Sequence, residues 1–477
     1  MHLLKKTLAD DKFIFRFLII WLLILSILYS FLSVLRHVHF QSGGFDLGIF
    51  DQAIYQYSHF LFPYNTIKEM FILGDHLNLT LPLLSPLYWI WQDVKTLLIF
   101  QAVFITVSSL AIYKLTRLRK FSPFVSLSLS FIYSIFWGIQ FAVYFDFHPI
   151  VIGVGILAWC LYFFESKKWK LFWIALTLMF LTQENMGIAL ASVGIIYFFK
   201  KEYRNKSLLF IFGGLIVSLI SVKIISLMSP VGYQYWPEFD LNPIYLLIKF
   251  FDNPDKILVW FYSFSWFSFL PLLSPATILA VSLDLSQYFL PQKQFGHMIT
   301  PFLHERAILA PIIILGILDI LKFLEKRKIN ITVLSVILVL SVLLQQFIFH
   351  FPLNKLSKSD YWKSDQWMED NKKLFAEIPK NSSLAAAQNL VPHLSERKEI
   401  YLIYPRLKDF KDCKGCWWLE FSGKPKFLVV DLHPNQWTTQ LLESNENFTK
   451  AVRNMELAKK IIKVKNVNQT YLYEIIY

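Results

Sequence analysis

Apolar runs close to the ~20 residues that carry a helix across a bilayer recur through residues 1–350, and they restrict what the chain can become. They lie at approximately 13–35, 97–113, 123–144, 150–164, 171–182, 186–199, 208–228, 257–273, 276–290, 307–323 and 331–349. Backbone polar groups in lipid must pair within their own segment, so these runs predict helices gathered into a bundle. The composition agrees. Charged residues make up 17% of the chain, against about 25% for an average soluble protein.

The net charge of +13 is distributed in a telling way. Lys5, Lys6, Lys12 and Arg16 precede or open the first run. Further clusters are Lys114, Arg117, Arg119 and Lys120, then Lys167, Lys168 and Lys170, then Lys200, Lys201, Arg204 and Lys206, and last Lys322, Lys326, Arg327 and Lys328. With about eleven spans all of these fall on the N-terminal side, which the positive-inside bias makes cytoplasmic. The basic charge therefore orients helices in a cell membrane and does not signal a nucleic-acid partner. The first run lacks a small-residue cleavage site and reads as a retained helix. The short runs flanking Gln183-Glu184-Asn185 fit either two spans or a re-entrant pair.

The opposite face collects the unusual polar residues. The segment 36–96 is too long for a turn and carries Gly44-Phe45-Asp46-Leu47-Gly48-Ile49-Phe50-Asp51. Carboxylates in apolar sequence at a membrane face are costly to desolvate and tend to be kept for a pathway, a partner or a reaction. Asp46 suits a general base or a metal ligand; helix capping by Asp46 and Asp51, or pairing with Arg36, is the lesser alternative. Residues 45–60 have helical spacing and are expected along the interface. Residues 77–91 are apolar but broken by Pro82 and Pro86, and read as re-entrant or packed on the bundle, with a twelfth crossing as the alternative.

Other candidates follow on that face. Asp75 suits a helix cap, which leaves His76 unexplained. Asp146 and His148 stand two apart before Pro149, so an extended backbone would aim both the same way, toward a metal or a phosphate; an ordinary loop with a helix-starting proline is the competing reading. Glu184 sits between apolar runs. A carboxylate at a helix centre costs roughly 2.5–3.5 kcal/mol on insertion scales, so a partner such as Arg306 or a metal is expected. His304-Glu305-Arg306 opens the next helix, where Arg306 can clamp a phosphate. Trp236, Glu238, Asp240 and His297 share the face.

The series Phe45-Asp46-Leu47-Gly48-Ile49-Phe50-Asp51-Gln52, Gly74-Asp75-His76, Leu84-Ser85-Pro86-Leu87-Tyr88, Asp146-Phe147-His148-Pro149 and Val391-Pro392-His393-Leu394-Ser395-Glu396-Arg397 resembles the DUF2079 family of prokaryotic membrane proteins. The family shows Lys-Glu-Asp where this chain has Gln183-Glu184-Asn185. DUF2079 is grouped with GT-C glycosyltransferases, multi-span enzymes that use a polyprenyl-phosphate sugar and an acidic residue in the first extracytoplasmic loop. The resemblance therefore implies a GT-C-like bundle with Asp46 in the acidic role, although the usual GT-C acidic pair is adjacent and Asp46 and Asp51 are not. In the chemistry it implies, Asp46 deprotonates an acceptor while a lipid phosphate leaves, steadied by Arg306, His304 or a divalent metal ion. Asp51 and Glu184 are further catalytic candidates. Asp75, His76, His304, Glu305 and Arg306 are expected to bind substrate, and Asp146 and His148 to hold the metal. The sugar and the acceptor are left open.

After residue 350 the chain becomes more charged, and residues 351–477 read as a small extracytoplasmic α/β domain. Strands are expected at 383–388, 426–432 and 471–476, and helices near 364–378 and 440–446. A single Cys413-Lys414-Gly415-Cys416 favours a local disulfide over zinc. Two other functions stay open. A secondary transporter is disfavoured by the lack of an internal repeat and by polar groups gathered at one face. A non-catalytic scaffold would keep the same groups for helix packing.

Overall fold

The structure, a computed structural model, describes residues 11–236, 242–290, 298–403, 421–434 and 444–477. Among the described residues five helices are long and apolar enough to cross a membrane: Asp11–Val38, Lys95–Leu118, Arg204–Met228, His304–Lys326 and Ile331–Phe349. Helices Pro123–Ser134 and Trp137–Tyr144 make a sixth if counted as one span bent by 42°. Pro149–Glu165, Trp169–Phe180 and Met186–Phe198 are apolar but shorter. The sequence count of about eleven included these and two further runs, which fold as Pro254–Ser265 and Pro275–Phe289.

Local chemistry explains the boundaries. Ser122, Ser274 and Asn330 each cap a helix N-terminus with a side-chain oxygen, and proline follows the first two at the position that needs no N–H. At the 42° bend, Phe136 adopts extended ψ and interrupts the helical ladder. The carbonyls released there find donors from other parts of the chain. Tyr29 Oη donates to Ser134 O at 2.8 Å, Gln140 Nε2 to Ile135 O at 2.7 Å, and Trp266 Nε1 to Ile132 O at 3.2 Å. Such replacement bonds are what make a broken helix tolerable at membrane depth.

Helix His304–Lys326 is the most enclosed of the five, with 78% of its apolar window buried, whereas Ile331–Phe349 has 28%. The first is therefore an axis of the bundle and the second a lipid-facing wall. Residues 77–91 do not cross. They form two four-residue helices, Leu81–Leu84 and Leu87–Ile90, packed under helix Ile49–Ser58. Strands β1 (Tyr64–Asn65) and β2 (Met70–Phe71) pair antiparallel in the same loop.

The C-terminal part carries a five-stranded sheet. Its strands are β3 (Leu384–Ala386), β4 (Ile400–Leu402), β5 (Phe427–Asp431), β6 (Ile461–Val467) and β7 (Thr470–Ile475), in the order β4-β3-β5-β7-β6. β3 runs parallel to β4 and β5, while β7 runs antiparallel to β5 and β6. Helix Gln366–Phe375 packs on β6 and β7. The second helix lies at Asn445–Leu457, later than the expected 440–446. Cys413 and Cys416 lie outside the described residues, as do Glu238, Asp240 and His297.

This domain is docked on the first loop. Gly44 N–H donates to Gln388 O at 2.9 Å. Thr66 Oγ1 accepts from Ile400 N–H at 2.9 Å and donates to Ile400 O at 2.5 Å. Gln52 Nε2 reaches Lys398 O at 3.1 Å. His393 stacks on both His37 and Phe40, with ring centroids 4.0 Å apart in each case. A Cβ on Gly48 would stand 2.8 Å from Val391 Cγ1, so the glycine lets the Val391 side chain seat against the turn.

Candidate active site

The chain leaves helix Asp11–Val38 and, past Gly43, winds one π-type turn, Gly44–Gly48, before helix Ile49–Ser58. Asp46 sits on that turn. Its Oδ1 lies 3.6 Å from His148 Nε2, and its side chain remains 33% exposed. The carboxylates of Asp51, Asp146 and Glu184 are by contrast sealed. Accessibility thus separates Asp46 from these three acids.

His148 is held from three sides. Its backbone N–H donates to Gln101 Oε1 at 2.8 Å, its Nδ1 lies 3.1 Å from Asp146 O, and its ring stacks on His304 at 3.5 Å between centroids. The Phe145 ring lies parallel to His304 at 5.7 Å. His304 Nε2 is in turn 3.3 Å from Glu305 Oε1. The turn 304–308 is fixed by contact with the bent span, where a Cβ on Gly138 would fall 2.5 Å from Arg306 O.

Arg306 is fully buried. Its guanidinium donates to Thr300 O at 3.2 Å and to Met298 O, and lies over the Tyr288 ring at 4.8 Å. Among the described residues its Nη1, the Nδ1 of His304 and the Oε2 of Glu305 are buried with no hydrogen-bond partner. Three consecutive residues thus each present an unused polar atom. A native fold rarely leaves such atoms idle without a ligand or water to meet them.

A second cluster lies on the same face. His76 Nδ1 is 2.7 Å from Glu184 Oε1, and the Tyr235 ring stacks on His76 at 5.0 Å. Burial alone would lower the His76 pKa, but the Glu184 and Asp75 carboxylates outweigh it and raise it to about 9. Lys68 Nζ lies 2.9 Å from Asp75 Oδ1 and 5.9 Å from the Phe45 ring, which joins this cluster to the Asp46 turn. Asp75 is thereby held below the usual carboxylate range despite its burial.

Several expectations change. Glu184 pairs with His76, not Arg306, because Arg306 is turned inward onto carbonyls and rings. Arg36 pairs with Asp146, not with Asp46 or Asp51, and Gly43 N–H donates to the same carboxylate at 2.9 Å. Asp146 therefore faces Arg36 while His148 faces Asp46, so the two do not present a joint ligand pair. No group of three or more His, Cys, Asp or Glu suited to a metal ion occurs among the described residues. Asp51 belongs to the domain junction. It accepts hydrogen bonds from the Tyr88 and Ser395 hydroxyls, and burial followed by the negative charge of Glu396 pushes its pKa well up. Sequence reasoning passed over Lys68, Gln101, Tyr235 and Tyr233, whose hydroxyl lies 3.5 Å from Glu184 Oε1. The one available signal was a Tyr-x-Tyr alternation in an otherwise irregular segment.

The apolar spans, the bent and short helices and the polar face together define a multi-pass membrane protein with a small sheet domain at its C-terminal end. The family described as "Predicted membrane protein (DUF2079)" matches residues 36–453, and the chain belongs to that family. No curated protein matches it. Among solved structures it is similar to ArnT from Cupriavidus metallidurans bound to undecaprenyl phosphate. The TM-score is 0.51 over 96% of this chain and 98% of that one, with 10% identity. The apo form of ArnT from Cupriavidus metallidurans gives a TM-score of 0.49 with 11% identity over the same shares. The fold is thus ArnT-like, as the GT-C grouping of the family implies.

Proposed function

We propose that the protein is a membrane glycosyltransferase that takes a sugar from a polyprenyl-phosphate donor and passes it to an acceptor outside the cytoplasm. The observation that carries this reading is Asp46, a reachable carboxylate set beside the His148–His304 stack, with the unused polar atoms of residues 304–306 close behind. The acceptor hydroxyl gives its proton to Asp46 as its oxygen attacks the anomeric carbon. The bond from that carbon to the phosphate oxygen breaks, and the lipid phosphate leaves with the electron pair. Arg306 Nη1 and His304 Nδ1 are the donors best suited to receive its charge. Asp146 is engaged by Arg36 and Gly43, so no step is routed through a metal at Asp146 and His148.

The fold also supplies a place for a lipid tail. An almost wholly apolar groove of about 610 Å³ runs past Phe250, Trp260 and Phe264. Phe250 packs on Phe289, and Phe289 lies 5.6 Å from the Arg306 guanidinium carbon. A chain in this groove would bring its phosphate end toward residues 304–306. The ArnT structure of the same fold carries undecaprenyl phosphate, which supports a donor of this class. The basic loops favour a cytoplasmic N-terminus and a sheet domain on the outer side of the cell membrane.

The deciding experiment is transfer of labelled sugar from a panel of polyprenyl-phosphate sugars by the purified protein and by Asp46→Asn. Transfer by the parent, lost in a variant that still binds donor, supports the reading. Absence of transfer from every donor, with both proteins folded, would favour a transporter or a scaffold.

A further inference from the structure

Helices Pro149–Glu165 and His304–Lys326 begin at the Asp46 cluster and end at a cleft of about 1010 Å³. A helix of 23 residues places those ends roughly 35 Å apart, so the cleft lies on the other side of the membrane from Asp46. Its floor is a closed charge network. Arg119 donates to Glu165 and, at 2.7 Å, to Asp319. Lys200 Nζ is 2.7 Å from Asp319, and Tyr197 Oη donates to Glu165 at 2.9 Å. Two cations meet two carboxylates there, so the floor needs no further charge.

The walls do. Lys120, Lys201 and Lys326 line the cleft, and no acidic side chain pairs with any of them among the described residues; Glu202 is the one further carboxylate on the wall. Helix C-termini nearby attract lysines, and orientation of the spans requires basic loops, but neither demands that the surplus line one concavity. Leu118, Phe199 and Phe323 also line it and are exposed. Cationic walls with an apolar edge at a membrane face match a phosphate that carries acyl chains better than a soluble anion.

We propose that this cleft binds the phosphodiester headgroup of an anionic phospholipid from the leaflet it faces, independently of the reaction proposed for the other face. The test is native mass spectrometry of the full chain after exchange into phosphatidylglycerol or phosphatidylcholine and stepwise delipidation. The parent should retain phosphatidylglycerol. The triple variant K120Q/K201Q/K326Q should hold it about a hundredfold more weakly, while K167Q/K168Q/K170Q, which loses the same charge on the same face outside the cleft, should match the parent. Equal retention by the two triple variants would overturn the proposal, as would equal retention of phosphatidylcholine by the parent. Inorganic phosphate that raises the thermal midpoint of the delipidated parent as much as phosphatidylglycerol does would identify a free anion and overturn the lipid assignment. Should the triple variant fail to fold, acylation of lysines in the parent decides. Phosphatidylglycerol should shield Lys120, Lys201 and Lys326 and leave Lys167 reactive; labelling unchanged by lipid would overturn the proposal.

Discussion

His148 and His304 lie face to face, 3.5 Å between ring centroids and inclined by 22°, although one precedes a short helix near the middle of the bundle and the other opens its most enclosed span. The contact fixes the distance between Asp46 and the unused atoms of residues 304–306, because His148 also touches Asp46. Replacing Asp46 with Asn keeps the shape and removes the proposed proton acceptor. Transfer by Asp46→Asn should fall by about 10²–10⁴-fold with donor affinity little changed. A measured loss of donor affinity instead of turnover would give Asp46 a binding role.

Asp51 should behave differently. Its folded pKa is raised, so its contribution to stability is full below the unfolded value near 3.8 and is lost as pH rises through the folded one. Asp51→Asn removes that loss. It should be at least as stable as the parent at pH 7, show a flatter stability–pH curve, and keep most of its turnover. Ser395→Ala withdraws a hydrogen bond from the same buried group and should cost about 1–3 kcal/mol. Hydrogen exchange across residues 384–402 would report both effects.

The His76–Glu184 pair gives a pH window of the same sign in a basic group. Its raised folded pKa makes the stabilisation complete below pH 6.5 and removes it as pH climbs through about 9. Nuclear magnetic resonance titration of labelled His76 should place its midpoint near 9 in the parent. Glu184→Gln should move the midpoint down by more than one unit, since burial then acts with less opposition.

Gly138 supplies a packing test. Gly138→Ala drives a methyl into Arg306 O and should destabilise by about 1–3 kcal/mol while lowering transfer through displacement of His304. Gly213→Ala meets nothing closer than 3.8 Å and should be silent or slightly stabilising, because alanine is the better helix former. Thermal unfolding in detergent distinguishes the two.

The spans and the sheet strands β3, β5 and β7 were legible because hydrophobic period and length survive any tertiary arrangement. Asp46 stood out in the sequence because an acid in an apolar stretch is costly to keep. The different surroundings of Asp46 and Asp51 were not legible, since the sequence reading grouped the two acids and only the fold seats Asp51 against Tyr88 and Ser395. The partners were not legible either. Arg36 meets Asp146 across 110 positions and His76 meets Glu184 across 108, and such pairings depend on how helices are arranged, which no local pattern encodes. The Arg36 partner of Asp146, which turns that carboxylate away from the His148 ring expected beside it, was hidden for the same reason.

The junction between Gly44 and Gln388 also has a meaning in time. A ribosome delivers the Asp46 turn to the membrane early, and the residues that brace it arrive more than three hundred positions later. Until Gln388 and Val391 emerge and seat against that turn, a growing chain holds the turn unbraced. The proposed transfer would thus require a chain synthesised nearly to its end, and fragments that stop before the sheet should show none of it.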